Sequence, residues 1–163
     1  MLRKRSRQTP PAGFDDYIVG DLSRVANRLA RGASAQYRRQ FGITVTEWRI
    51  LHNLAERRQK TASEICDHTG IDKGPISRAL RNLEARGHVE REPDRADSRR
   101  IVLRLTEAGR ALHDRIMPVA LERQSILLQC LDEAESRQLK GILEKLKESS
   151  RTLDRDGAPK SAK

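Results

Sequence analysis

Between residues 73 and 81, Lys73, Ser77, Arg78 and Arg81 alternate with Ile76, Ala79 and Leu80 at helical spacing. One short helix would therefore carry hydrogen-bond donors along one side and an apolar stripe along the other. Such donors reach base edges and phosphate oxygens, and arginine is the usual two-pronged partner of guanine. Pro75 adds an apolar surface suited to a thymine methyl. A second group, Arg95, Arg99 and Arg100, falls in the polar stretch 93–100, between two runs that read as short strands. Arginine at a hairpin tip is attracted by the negative potential of a narrowed minor groove. A basic helix face alone is often only a solvated surface. A basic hairpin directly after it has few bland explanations.

No comparable constellation supports catalysis. The sequence has no GxSxG, no Gly-rich phosphate loop and no HExxH. No cofactor is expected. His52, His68, His88 and His113 are scattered along the chain, and Cys66 and His68 face two sides of one helix, so no metal site is expected. The two cysteines, Cys66 and Cys130, cannot make a disulfide framework, which fits a reducing cytoplasm. The formal net charge of +10 favours an anionic partner without saying how it is held. The basic N-terminus is followed by Thr9-Pro10-Pro11 rather than an apolar run, so no secretory signal is expected, and no stretch approaches the ~20 apolar residues of a membrane span.

The elements that must position these groups follow from periodicity and capping. Ile18, Leu22, Val25, Leu29, Ala33 and Tyr37 lie on one face of a long first helix, with Gly42 placed to cap it. Thr44 with Glu47, Thr61 with Glu64 and Asp132 with Glu135 have capping-box spacing, so helices begin at each pair. The helix after Thr61 should bury Ala62, Ile65 and Cys66 and end at Gly70, with Asp72 as the cap of the next. Ser63 and Thr61 stand where they can bond a backbone phosphate; helix capping explains both at least as well, and is the role expected of Thr61. Gly87 closes the basic helix, strands follow at 88–92 and 101–105, and Thr106 caps a long helix in which Pro118 predicts a kink or break. A short helix, a Gly-containing turn, a second helix and a hairpin make a winged helix-turn-helix, whose second helix enters the major groove.

Several motifs resemble the MarR family of bacterial regulators: Ile76-Ser77-Arg78, the run from Leu83 to Arg91, Asp97-Ser98-Arg99, and Val102-Leu103-Arg104-Leu105-Thr106-Glu107-Ala108-Gly109. The likeness extends over roughly residues 15–152. It implies a homodimer built from the first helix and the last two, Arg99 in the minor groove, and Asp97 holding the wing by pairing with a nearby arginine. A carboxylate there would repel phosphate unless it orients a cation; its plainer role is that of a turn residue. Similar proteins bind small aromatic acids or their coenzyme A thioesters, which makes Arg28, Trp48, Arg49 and His52 the candidate effector residues. Trp48 is equally well placed as core, and each arginine as surface.

The expected fold is mainly α with a small β-hairpin: a winged helix-turn-helix domain plus a helical dimerisation region. The expected divisions are a disordered basic arm (1–13), the dimerisation region (14–42 and 107–152), the DNA-binding region (43–106) and a flexible tail (153–163). The expected activity is non-enzymatic: a regulator, most simply a repressor, that binds double-stranded DNA at a pseudo-palindromic operator. A dimer with two reading helices requires half-sites about 34–36 Å apart. The alternatives are a non-specific architectural protein that works by charge, and a helical adaptor for an acidic protein. An adaptor has no need of an arginine-tipped hairpin.

Overall fold

The computed structural model describes residues 17–56, 59–94 and 97–156, with backbone only for 152–156. The basic arm, Arg95 and the end of the tail lie outside the described residues. The chain divides into two compact units, 1–116 and 117–163.

The first unit holds helices α1 (Ile18–Phe41), α2 (Val45–Glu56), α3 (Ala62–Thr69) and α4 (Lys73–Ala85), strands β1 (Val89–Pro93) and β2 (Ile101–Leu105), and the start of α5 (Glu107–Leu128). Gly42 caps α1 with φ 68°, its N–H donating to the Arg38 carbonyl at 3.1 Å. Both capping boxes form here. Thr44 and Glu47 exchange bonds of 2.6 and 3.2 Å, and Thr61 and Glu64 do the same. Asp72 occupies the cap position of α4 but makes no side-chain capping bond. At the other end of α4 the Gly87 N–H donates to the Glu84 carbonyl and the His88 N–H to that of Leu83, both at 2.9 Å, with Gly87 at φ 70°. That paired closure needs a left-handed residue, which glycine supplies without strain.

The core is the meeting place of α2, α3, α4, β2 and the start of α5. Ile50, Leu51, Leu54, Ile65, Leu83 and Ile116 are fully enclosed there. Of the residues expected to be buried in α3, only Ile65 is; Ala62 and Cys66 share its face but are half-buried. The strands pair antiparallel, Val89 opposite Leu105 and Pro93 opposite Ile101. Pro93 thus belongs to the edge strand rather than to the loop, a place where its missing N–H is harmless. Lys60 adds a one-residue bridge to the other side of β2, its N–H donating to the Leu103 carbonyl at 3.1 Å and its carbonyl accepting from Leu103 at 2.8 Å.

Gly109 lies where α5 passes over the turn into β1. A Cβ at this position would sit 1.9 Å from the His88 carbonyl oxygen. Thr106 fixes the crossing: its hydroxyl donates to the Gly87 carbonyl at 2.6 Å and accepts from the Gly109 N–H at 3.0 Å.

In the second unit α5 continues to Leu128 and α6 (Glu133–Asp156) follows after a short turn, capped by reciprocal Asp132–Glu135 bonds of 2.9 and 2.8 Å. The helix is unbroken at Pro118. The missing proline N–H costs the helix one backbone hydrogen bond there. A groove of about 720 Å³ lies between the end of α5 and α6, with Leu127, Leu128, Leu139 and Leu143 among its lining. Apolar faces remain open in both units. Ile18, Leu22, Val25 and Leu29 on α1 and Leu139, Ile142, Leu143 and Leu146 on α6 are exposed. No helix among the described residues is long and apolar enough to cross a membrane.

Candidate nucleic-acid interface

Helix α4 divides cleanly. Ile76, Ala79, Leu80 and Leu83 are buried, while Lys73, Gly74, Arg78 and Arg81 are exposed and Pro75 and Ser77 half-exposed. The division follows from the helical period: four apolar positions seat the helix, and the donors are turned outward. The Arg78 guanidinium folds back along the first turn, its Nη1 3.8 Å from where a Cβ on Gly74 would stand. Long helical side chains lean toward the N-terminus in this way. The first turn of α4 therefore gathers Lys73, Ser77 and Arg78 at the end that meets base edges in a helix-turn-helix. Ser63 is exposed in the first turn of α3.

The wing is less uniform than its arginines suggest. Arg99 is exposed and its backbone N–H donates to Asp97 Oδ1 at 3.0 Å. Arg100 donates its N–H to the Asp97 carbonyl at 2.9 Å and receives the Asp94 N–H on its own at 2.8 Å. Asp97 therefore shapes the turn through main chain; among the described residues no guanidinium pairs with it. Arg100 stands at the base of the hairpin rather than its tip, with its guanidinium 3.6 Å from Glu64 on α3. Glu64 was not anticipated here, because capping alone explained it in the sequence. Bonds from the Thr61 N–H and then its hydroxyl, assisted by Arg100, hold the Glu64 carboxyl below the ordinary glutamate value. At the strand pair, Arg104 bonds Glu90 at 2.7 Å and reaches Glu92 at 3.4 Å, so this arginine is engaged within the hairpin.

Behind this surface the structure assembles an aromatic stack. Trp48 and His52 on α2 and His113 on α5 lie nearly parallel, with centroids 5.3 to 5.6 Å apart. His52 Nδ1 and His113 Nε2 are 3.3 Å apart, so the two histidines are not scattered. His113 Nδ1 bonds Asp114 at 2.8 Å, and His52 Nε2 is 3.6 Å from Glu56. Tyr37 from α1 meets the Trp48 ring edge-on at 5.9 Å. Of the candidate effector residues, Trp48 and His52 come together. Arg28 and Arg49 are exposed, with no side-chain hydrogen bond or ion pair to a described residue. His113, which the sequence reading did not single out, joins Trp48 and His52 in this cluster. Among the described residues no group of three or more His, Cys, Asp or Glu is arranged to hold a metal ion.

Two titrating groups lie off these surfaces. Burial, then Asp67, pushes the Cys66 thiol up, which keeps it protonated and unreactive. Burial, with Arg86 nearby, holds the His88 imidazole below the usual histidine value, against a small opposing effect of Glu47.

A basic reading helix seated beside an antiparallel hairpin defines a winged helix-turn-helix protein. The MarR family model matches residues 41–100, which run from the end of α1 to the loop between β1 and β2. A MarR/EmrR family transcriptional regulator from Acinetobacter sp. ADP1 is 32% identical, superposes with a TM-score of 0.80, and is matched over 86% of this chain and 99% of its own. The transcriptional repressor NicR of Pseudomonas putida is 27% identical over 91% of this chain and 97% of its own. A mutant MarR from E. coli, solved with operator DNA, superposes with a TM-score of 0.68 at 25% identity, over 81% of this chain and 95% of its own. The chain belongs to the MarR family of transcriptional regulators.

Proposed function

We propose that this protein is a sequence-specific repressor that works as a homodimer on a pseudo-palindromic operator in the cytoplasm, acting by binding rather than catalysis. In this reading Lys73, Pro75, Ser77, Arg78 and Arg81 face the major groove. Ser63 bonds a flanking phosphate. Arg95, Arg99 and Arg100 give the wing its charge toward the minor groove, with Asp97 shaping its turn. The observation that carries the reading is the exposed donor edge of α4 standing on a fully buried apolar stripe.

The test is binding to promoter fragments at low and moderate salt. Arg78→Ala is expected to cost roughly 1–3 kcal/mol on the operator and to relax base preference there. An equal loss on operator and random duplex supports the architectural alternative instead. Failure to retard any promoter fragment at low ionic strength ends the reading.

For the effector, the Trp48–His52–His113 stack supports a small aromatic carboxylate or its coenzyme A thioester. A flat ring extends such a stack, and Arg28 or Arg49 is the candidate partner for the carboxylate. Trp48 is 8% exposed, so the ligand would meet the stack at its His52 edge. A ligand that prefers a reading-helix spacing mismatched to the groove would then release DNA by population shift. A panel of aromatic acids and thioesters is expected to contain a compound that releases the operator and changes Trp48 emission. If none does both, the effector assignment falls and the DNA-binding reading stands.

A further inference from the structure

Lys60 is only 7% exposed, although its neighbours on the chain are polar and it lies on a short connection between helices. Its ammonium donates to Asn53 Oδ1 at 2.8 Å, and Asn53 Nδ2 in turn donates to the Arg49 carbonyl of α2 at 3.0 Å. Its main chain makes the two-way bridge to Leu103 of β2. One residue is thus fastened by its side chain to α2 and by its backbone to the wing.

Stability alone gives no reason for a lysine here. Burying an ammonium is costly even when it is paired, and a well-packed apolar residue of similar volume is often as stable or more so. What methionine or leucine cannot do is fix direction and register through hydrogen bonds. The α2 end of the link is also informative. Asn53 follows His52 directly, and Trp48 lies just over one turn earlier on the same helix, so the stack and the clasp share one rigid segment.

We propose that Lys60 is a positioning residue that couples the Trp48–His52–His113 stack to the wing through Asn53 on one side and Leu103 on the other. A shift of α2 at the stack is carried to the hairpin, and the hairpin's engagement with DNA is carried back, as reciprocity of coupled sites requires. The proposal rests on the DNA-binding reading above and specifies how its regulation reaches the wing.

The experiment compares wild type with Lys60→Met, Asn53→Ala and the double variant, and has two arms. In the free protein, amide exchange at Val102–Leu105 is expected to quicken at least about fivefold in each single variant, while the amides of Ile76–Leu83 keep their protection. In the second arm a labelled mixed-sequence duplex is added at low ionic strength. Anisotropy reports binding, and Trp48, the only tryptophan in the chain, reports the stack. Wild type is expected to bind with a change in Trp48 emission. The single variants are expected to bind with that change reduced at least about fivefold, and the double variant to be no worse than either single one, as for two ends of one link. Exchange at β2 unchanged in Lys60→Met, a full Trp48 response in that variant, or a double variant in which the effects multiply would each overturn the proposal. If the wild-type protein does not bind the duplex, the DNA-binding reading fails, and the exchange arm still decides the clasp.

Discussion

Replacing Gly109 with alanine is expected to destabilise the protein by about 3 kcal/mol, the upper end of the usual range for overpacking. Two features set the size of the effect. The added Cβ would meet the His88 carbonyl oxygen at 1.9 Å and its carbon at 2.9 Å, and both atoms are backbone. No rotamer change relieves such a clash. The same oxygen accepts the Thr106 N–H at 3.2 Å, and the Thr106 hydroxyl joins the start of α5 to the cap of α4. Backing α5 away therefore loosens the joint from which the wing departs. Thermal unfolding should show a midpoint lowered by roughly 10 °C. Amide exchange should also quicken first at Glu90, next to the disturbed turn. A midpoint equal to that of wild type would mean that α5 can lift without cost, contrary to the packing described.

The second large effect concerns the open face of α6. Leu139, Ile142, Leu143 and Leu146 recur three or four residues apart and are 37–45% exposed, more than a single helix normally leaves in water. No residue of α6 between Glu133 and Arg151 is buried. A second copy of the chain is the partner expected for this face, since the family resemblance implies a homodimer that includes the last helix. Ile142→Glu with Leu146→Glu would place two carboxylates on it. The pair should convert a dimer to a monomer in sedimentation and weaken operator binding by at least about a hundredfold, since linking two modules contributes roughly 10²–10⁴ in avidity. The monomer should keep its helix content, because neither side chain is part of the enclosed core. Arg78→Ala serves as the control, losing DNA affinity while remaining dimeric. A wild-type chain that sediments as a monomer at micromolar concentration, or a double variant that stays dimeric, would remove α6 from the interface.

Much of this architecture was written in local chemistry. Capping boxes at Thr44, Thr61 and Asp132 and glycines at 42 and 87 mark helix ends because each satisfies particular backbone groups within three or four residues. The buried stripe of α4 follows from its period in the same way. What escaped was the long-range part. Lys60 bridges β2 as a single residue, with no period to announce it. Glu64 has a complete local role in capping, which conceals its reach to Arg100. His52 and His113 meet across 61 residues of sequence, and only the packing of α5 on α2 brings them together. Of the kink or break expected at Pro118, the break is absent, since α5 runs on to Leu128. For α1 the expected face is present, but within the chain only its end, Ala33 and Tyr37, is buried.

The outer margin of the hairpin has a consequence for life at high concentration. A two-stranded ribbon offers unpaired amides along β1, and such a row can recruit strands from other molecules into growing aggregates. Here that strand reads Val89-Glu90-Arg91-Glu92-Pro93. Two acids, a base and an imino acid occupy four of its five positions, so a foreign strand would meet three charged residues in a row and a missing donor at the end. The ribbon can remain thin and extended while resisting accretion from its neighbours.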